Sequence, residues 1–458
     1  MNCVLNSSIL GAILLWALAF VAPAAAQTTP RSVLLIIADD FGVDVASFYP
    51  VGVRLTTTPP APLTPNLANL ARQGVRFDRA WANPACSPTR ATILTGRYGF
   101  RTGIGQTVNI APPWPVLSLA EVTLPEAFAR AGQGHELTHV GKWHLGHGLE
   151  TPRQHGWQHF TGPNPMLPKL EDPFLWPKVV DGIESTSSRY VLTDAVDDAL
   201  AAIARARANA KPYLVWLALN VPHAPFHKPP LELHGRDDLP VVATPDPALA
   251  RSYYEAMIEA IDTEIGRLLA GVDLTTTTVV FLGDNGTPVE VTAAPYIPDH
   301  AKLRVYEQGV QVPLLIAGAG APLKGRATKA LVNTVDLYPT ILALAGIDPA
   351  TVLKPEERID GVSLVPVLAN PGQASVRAWS YTERFQLTPT QSWQHAIRDT
   401  RYKLIERQAG LSWPRREFFD LQNDPLERVN LLARPLTAAE RRRLNGLDAQ
   451  MDQLLASP

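Results

Sequence analysis

Short apolar runs that stop abruptly at polar residues recur along this chain. Val33 to Ala38 is one such run and ends in Asp39 and Asp40. Val279 to Leu282 repeats the design, followed by Gly283, Asp284, Asn285 and Gly286. Tyr213 to Leu219 runs into Asn220 and His223, and a weaker run in "ELTHVGKWHLG" reaches Lys142 and His144. Runs of this length bounded by turn signals predict buried strands of a parallel sheet. Helical patterns lie between them. "TPNLANLARQG" predicts a helix with Thr64 as N-cap, Pro65 at its first position, Leu67, Leu70 and Ala71 on one face and Gly74 as the stop. "RSYYEAMIEAIDTEIGRLLAG" predicts a long amphipathic helix before the Asp284 strand, and "VDLYPTILALAG" predicts another. This alternation predicts an open α/β sheet with helices on both faces. Ligands of such sheets bind beyond the carboxyl ends of the strands, where these polar residues fall.

The pattern changes after "DGVSLVPVLANPGQ". Residues 27–370 are expected to form a large domain and residues 371–458 a smaller α+β one with an antiparallel sheet. There "AIRDTRYKLIE" predicts a hairpin turning near Asp399, and "EFFDL" a further strand. The final helical stretch places Leu444, Leu447, Met451 and Leu454 on one face, which predicts packing on that sheet.

Composition narrows the partners. Hydrophobic residues make up 46% and charged residues 18%, as in ordinary globular proteins. A net charge of −2 gives no electrostatic footprint for nucleic acid or an anionic membrane. At the N-terminus, Ile9 to Phe20 is an apolar core and "PAAAQ" offers a cleavage point after Ala26. Residues 1–26 therefore read as a signal peptide, and the protein as periplasmic or secreted, with no membrane attachment after cleavage. Cleavage removes Cys3 and leaves Cys86 without a partner for an internal disulfide.

Asp39, Asp40, Asp284 and Asn285 offer oxygen ligands only. Three carboxylates brought together repel unless a cation lies between them. All-oxygen ligation suits a hard ion, and calcium before magnesium or zinc. In "CSPTR", Pro88 fits the first turn of a helix continuing through "TRATILTG", so Cys86 is expected just ahead of a helix N-terminus with Arg90 folding back toward it. A lone cysteine is commonly a small buried hydrophobe, and a helix N-terminus can also make a reactive thiolate. A thiolate has little use for a hard cation. An oxygen nucleophile beside a cation and an arginine suits attack on an anionic tetrahedral ester.

With these residues in view, the chain resembles a type I sulfatase of the alkaline-phosphatase-like superfamily. Cys86, Pro88 and Arg90 match the family signature C-x-P-x-R, and "IIADDFG", "GKWHLG", "NVPHAPFH", "FLGDNG" and "AKLRVYEQGVQVPLLIAG" resemble its other site segments in order. The resemblance implies an alkaline-phosphatase-like fold: a large, mixed but mostly parallel sheet between helices, with a smaller C-terminal domain. It implies that a formylglycine-generating enzyme converts Cys86 to Cα-formylglycine, whose hydrate supplies the nucleophile. It also implies one calcium ion on Asp39, Asp40, Asp284, Asn285 and the residue 86 oxygen. Arg90 would position the hydrate, Asp284 accept its proton, Lys142, Lys302 and His223 bind the sulfate and leaving oxygens, and His144 act as base when sulfate departs. The reaction is hydrolysis of an aryl or glycan sulfate monoester. A formylglycine-dependent phosphonate or phosphate ester hydrolase is the alternative, and a non-catalytic sulfated-glycan binder a third reading. The chain departs from the family pattern at Leu303 and Gln308, where glycine is usual, and at Gln311, where arginine is. The polar residue the family often places after "GKWHLG" has no evident counterpart.

Overall fold

The computed structural model describes residues 31–55, 61–109, 115–167, 169–241, 246–386, 392–408 and 415–457; the expected signal peptide lies outside them. Twelve strands precede residue 370: β1 (Ser32–Ala38), β2 (Gly74–Phe77), β3 (Ala80–Trp81), β4 (Glu136–Gly141), β5 (His159–Pro163), β6 (Trp176–Val180), β7 (Ile183–Ser187), β8 (Tyr213–Ala218), β9 (Thr277–Gly283), β10 (Leu314–Gly318), β11 (Arg326–Thr328) and β12 (Val332–Asn333). Four follow: β13 (Ser380–Gln386), β14 (Ser392–Arg398), β15 (Tyr402–Arg407) and β16 (Arg416–Asp420). Ten strands form one sheet in the order β11-β2-β10-β9-β1-β8-β4-β5-β6-β7. Its centre, β9-β1-β8-β4-β5, is parallel, while β10, β6 and β7 pair antiparallel.

The unbroken apolar runs follow from burial on both faces. Along β1, Val33, Leu35 and Ile37 join one core with Leu124, Phe128, Leu337 and Ile341. Leu34, Ile36 and Ala38 join another with Leu67, Val196, Ile203, Ile261 and Ile265. Helices thus cover both faces, as the alternation predicts. Two local expectations need correction. The helix Pro65–Arg72 ends one residue before Gln73, and Gly74 begins β2 instead of stopping the helix. A Cβ at Gly74 would lie 2.2 Å from the Ile316 carbonyl oxygen, so close strand approach selects the glycine. Thr64 holds the N-cap position, but its hydroxyl bonds Ser47. The free N–H groups of Asn66 and Leu67 go to Asp262, at 3.0 and 2.7 Å, on the long helix Ala250–Ala270.

The C-terminal strands form an antiparallel sheet, β13-β14-β15-β16. Asp399 shapes the β14–β15 turn by accepting the Arg401 and Tyr402 N–H groups, both at 2.7 Å. The helix Ala438–Ala456 opens on a Thr437–Glu440 capping box and lays Leu447, Met451 and Leu454 against Tyr381, Ile397, Leu404 and Phe418. Leu444 packs at the margin of that cluster. Glu307, from the long segment between β9 and β10, pairs with Arg398 at 2.7 Å and Lys403 at 3.2 Å and so ties the two sheets together.

Candidate active site

Four adjacent strands, β9, β1, β8 and β4, deliver Asp284 and Asn285, Asp39 and Asp40, Asn220 and His223, and Lys142 and His144 to one edge of the sheet. Parallel strands end on the same side, so the polar residues that terminate each apolar run converge. Cys86 comes to this edge on the helix Cys86–Thr95, as its first residue and not just ahead of it, with Pro88 in the first turn. Lys302 arrives on the segment between β9 and β10. All ten residues expected at the site meet there, in a web of short contacts.

At the centre, the Cys86 thiol donates to Asp39 Oδ1 at 3.2 Å, and Lys142 Nζ binds Asp39 Oδ2 and lies 3.8 Å from Cys86 Sγ. Arg90 does fold back. It donates to the Lys142 carbonyl at 2.8 Å and to Asp284 Oδ2 at 2.9 Å. Asp284 Oδ1 accepts from the Asp40 N–H at 2.9 Å. Both Asp284 oxygens are thereby engaged, and the acceptor beside residue 86 is Asp39. Farther out, Lys302 Nζ pairs with Asp40 Oδ1, and His223 Nε2 lies 3.8 Å from Asp40 Oδ2.

Tautomers follow from the partners, because a carbonyl only accepts. His144 Nε2 is 3.0 Å from the Val108 carbonyl, so it carries the hydrogen. Nδ1 keeps its lone pair and is buried without a partner. Burial, together with Lys142 and Arg90, holds the His144 pKa well below its ordinary value, so the ring is neutral. His223 donates through Nδ1 to the Ala224 carbonyl at 2.7 Å, which turns Nε2 toward the cluster. The Cys86 thiol is pushed well above its ordinary pKa by burial and by the Asp39 carboxylate. Among the described residues no imidazole hydrogen-bonds its sulfur. The environment therefore opposes a thiolate nucleophile.

The donor set fits a cation. Asp39, Asp40, Cys86 and His223 offer ligand atoms all within 4.8 Å of one another. The Asn285 Oδ1 atom is buried with no hydrogen-bond partner, while its Nδ2 donates to Asp40 Oδ1 at 2.8 Å. Burial and the charge of Asp39 push Asp284 up to about 7, which expresses how poorly three crowded carboxylates tolerate one another without a metal. Asp39 itself lies well below the usual range: burial alone would raise it, but Lys142, His223 and Arg90 outweigh that.

Sequence reasoning missed the residues that brace this web. Ser87 donates to the His144 carbonyl at 2.8 Å and accepts from Val108 N–H at 3.0 Å, so it fixes the histidine from behind. Its place beside Cys86 was the only signal. Asn220, already read as the polar end of its strand, keeps a buried Oδ1 with no partner among the described residues and lines a small niche shared with Asp39, Lys142 and His223. Gln308 and Gln311, the departures from the family pattern, bond the Ile297 N–H and the Asp78 carbonyl, at 2.9 and 3.0 Å, and have structural partners outside the cluster.

Two family models cover the chain. The sulfatase model matches residues 31–347, and the C-terminal model of N-sulphoglucosamine sulphohydrolase matches residues 300–454. The chain belongs to the sulfatase family. This sulfatase is 29% identical over 397 residues to N-acetylgalactosamine-6-sulfatase of Canis lupus familiaris, covering 78% of the present chain and 69% of the relative. Its fold is that of Ps i-CgsB, solved in complex with k-i-k-neocarrahexaose, with a TM-score of 0.75, 21% identity and coverage of 93% and 92% of the two chains. BT4656, solved with its substrate D-glucosamine-2-N,6-O-disulfate, gives a TM-score of 0.71 at 20% identity, covering 93% and 98%. The sulfatase is a sulfuric ester hydrolase with the alkaline-phosphatase-like fold. Among its described residues no helix is long and apolar enough to cross a membrane.

Proposed function

We propose that this sulfatase hydrolyses sulfate monoesters carried on sugars, with residue 86 in the Cα-formylglycine form and one calcium ion on Asp39, Asp40, Asp284 and Asn285. The seat of Cys86 carries the reading. It lies between Asp39, Lys142 and Arg90 in a setting that suppresses a thiolate and suits a hydroxyl. The sugar class is supported by the relatives, which include an N-acetylgalactosamine-6-sulfatase and the BT4656 complex with a disulfated glucosamine. When bound, calcium would neutralise sulfate charge, and the hydrated aldehyde would supply an oxygen nucleophile and a route to release sulfate.

The chain's own residues do the rest. Arg90, locked between Asp284 and the Lys142 carbonyl, holds the positive side of the pocket against residue 86. Asp39 Oδ1 stands where it can accept the proton of a hydroxyl on residue 86. Lys142 and Lys302 present ammonium groups to the sulfate oxygens. His223, once doubly protonated, would give its Nε2 proton to the leaving oxygen, and His144 Nδ1, whose lone pair is free, would take the proton when sulfate leaves. A formylglycine-generating enzyme is the maturation partner, acting before export.

The test is a panel of defined esters: 6-O-sulfated N-acetylhexosamines, sulfated oligosaccharides, an aryl sulfate, an aryl phosphonate and an aryl phosphate. Protein co-expressed with a maturation enzyme should turn over a sugar sulfate faster than the phosphonate. Its residue 86 peptide should have lost the thiol and should react with a hydrazide. Full activity with an unmodified cysteine, or a preference for the phosphonate or phosphate, would overturn the reading.

A further inference from the structure

Lys302 reaches the site from a turn with an unusual backbone. Leu303, the next residue, has φ of 73°. A branched side chain in this left-handed region is strained and persists only where its surroundings hold it. Four hydrogen bonds hold this turn. The Arg304 N–H donates to the Ala301 carbonyl at 3.1 Å and closes it, the Lys302 N–H donates to the Thr287 carbonyl at 3.1 Å, and the Leu303 N–H donates to the Pro84 carbonyl at 2.7 Å. Thr287 and Pro84 lie close in sequence to site residues, Asn285 and Cys86. The fourth bond comes from elsewhere. Arg384, on β13 of the C-terminal sheet, donates through Nη1 to the Leu303 carbonyl at 3.2 Å.

Arg384 is committed to this position. It is half-buried, its Nε has no partner among the described residues, and burial together with Arg304 lowers its pKa. Its neighbours on β13 also grip the catalytic segments. Thr382 donates to the Ala82 carbonyl at 3.1 Å, and the Phe385 N–H to the Gly105 carbonyl at 3.0 Å. Among the described residues Arg384 has no acidic partner; its hydrogen bond goes to one carbonyl, that of the strained residue.

We infer that Arg384 is a positioning residue: through the Leu303 carbonyl it holds the left-handed turn that keeps Lys302 on Asp40, so the C-terminal sheet sets one wall of the sulfate pocket. The inference rests on the proposed role of Lys302 in binding sulfate. Loss of the clamp lets Leu303 relax toward the ordinary right-handed or extended regions, and the Lys302 side chain swings out of register. A glycine at 303 would hold the same turn without strain and would not need the clamp.

That difference is the test. Arg384→Ala, Leu303→Gly and the double variant are compared with the parent protein. Two readouts are used: titration with inorganic sulfate by calorimetry, and kcat/KM on an aryl sulfate. Arg384→Ala alone should weaken sulfate binding and lower kcat/KM about tenfold. In the Leu303→Gly background the same change should cost less than twofold. Arg384→Lys, which keeps a donor, should recover most of the loss. Equal losses in both backgrounds, or no loss, would overturn the inference. So would loss of folded protein in both Arg384→Ala and Arg384→Lys, which would make Arg384 a residue of the fold. The sulfate titration separates this idea from the proposed function: a protein that binds sulfate with the expected coupling yet hydrolyses no sulfate ester refutes the function and leaves the clamp standing.

Discussion

The charged cluster has an inner and an outer half, built on different principles. Inside, Asp39, Cys86, Arg90 and Asp284 are no more than 1% exposed, and each is hydrogen-bonded to another site residue or its backbone. Outside, the Lys302 and His223 side chains keep 14% and 18% exposure, and the carboxylate they pair with is that of Asp40. Buried charges must be paired to survive away from water, so the inner half holds the fold together as well as the chemistry. The outer half can face an incoming ester. The lesson is that one constellation can serve stability and catalysis through separate members.

This contrast can be broken by mutation. The largest effect is expected at residue 86. Cys86→Ala removes the proposed precursor of the nucleophile and should lower kcat by at least about a thousandfold, while melting close to the parent protein. Steady-state kinetics with a melting curve checks both halves of that statement. Next, His223→Ala should cost about 10²–10⁴-fold on sugar sulfates and much less on an activated aryl sulfate, because proton donation matters most for poor leaving groups. Its melting temperature should not move. Arg90→Ala should do the reverse in kind, since it strands the Asp39 and Asp284 carboxylates. A loss of about 3–5 kcal/mol in urea unfolding is expected, together with lost activity. Equal destabilisation by His223→Ala and Arg90→Ala would erase the distinction between the halves.

How much of this was legible beforehand follows from the same physics. The apolar runs and their polar ends were readable because a strand buried on both faces must be apolar throughout and must stop where the ligand begins. That located Asp39, Asp40, Asp284 and Asn285. Lys302 needed the family resemblance, since no periodicity marks a loop lysine, and so did the roles given to Lys142, His144 and His223. Arg384 was not legible at all, and Ser87 only through its place beside Cys86. Their work is done by hydrogen bonds to backbone groups far along the chain, and a backbone group leaves no trace in the sequence. The Gly74 error had the same origin: a strand across the sheet, not the helix, selected the glycine.

Two smaller effects sharpen the picture. Chelation with EGTA should abolish turnover, and calcium at roughly a hundred to a thousand times its dissociation constant should add about 3–4 kcal/mol of stability to the parent protein. Asn285→Ala should need more calcium for the same gain; restoration by zinc alone would refute the hard-ion reading. The smallest effect lies outside the cluster. Glu383, fully buried where it accepts the Phe100 N–H at 2.8 Å, is pushed by burial up to about 8. A raised carboxyl favours the folded state at low pH. Its contribution is complete below about 4.5 and is lost as pH rises toward 8. Glu383→Gln should therefore flatten the fall in melting temperature between pH 5 and pH 8, without changing the pH profile of kcat.

Cys86 has 1% of its surface open to solvent and forms the first turn of a helix wedged against the sheet edge. On the proposed maturation, an enzyme that must grasp this thiol and its neighbours could not do so once that helix has docked. Maturation and folding would then compete in time. A chain that folded first would lock its own precursor away, however stable it is. The yield of active protein is then set by a race, and slowing the collapse of residues 83–96 onto the sheet should favour the modifying enzyme as surely as adding more of it.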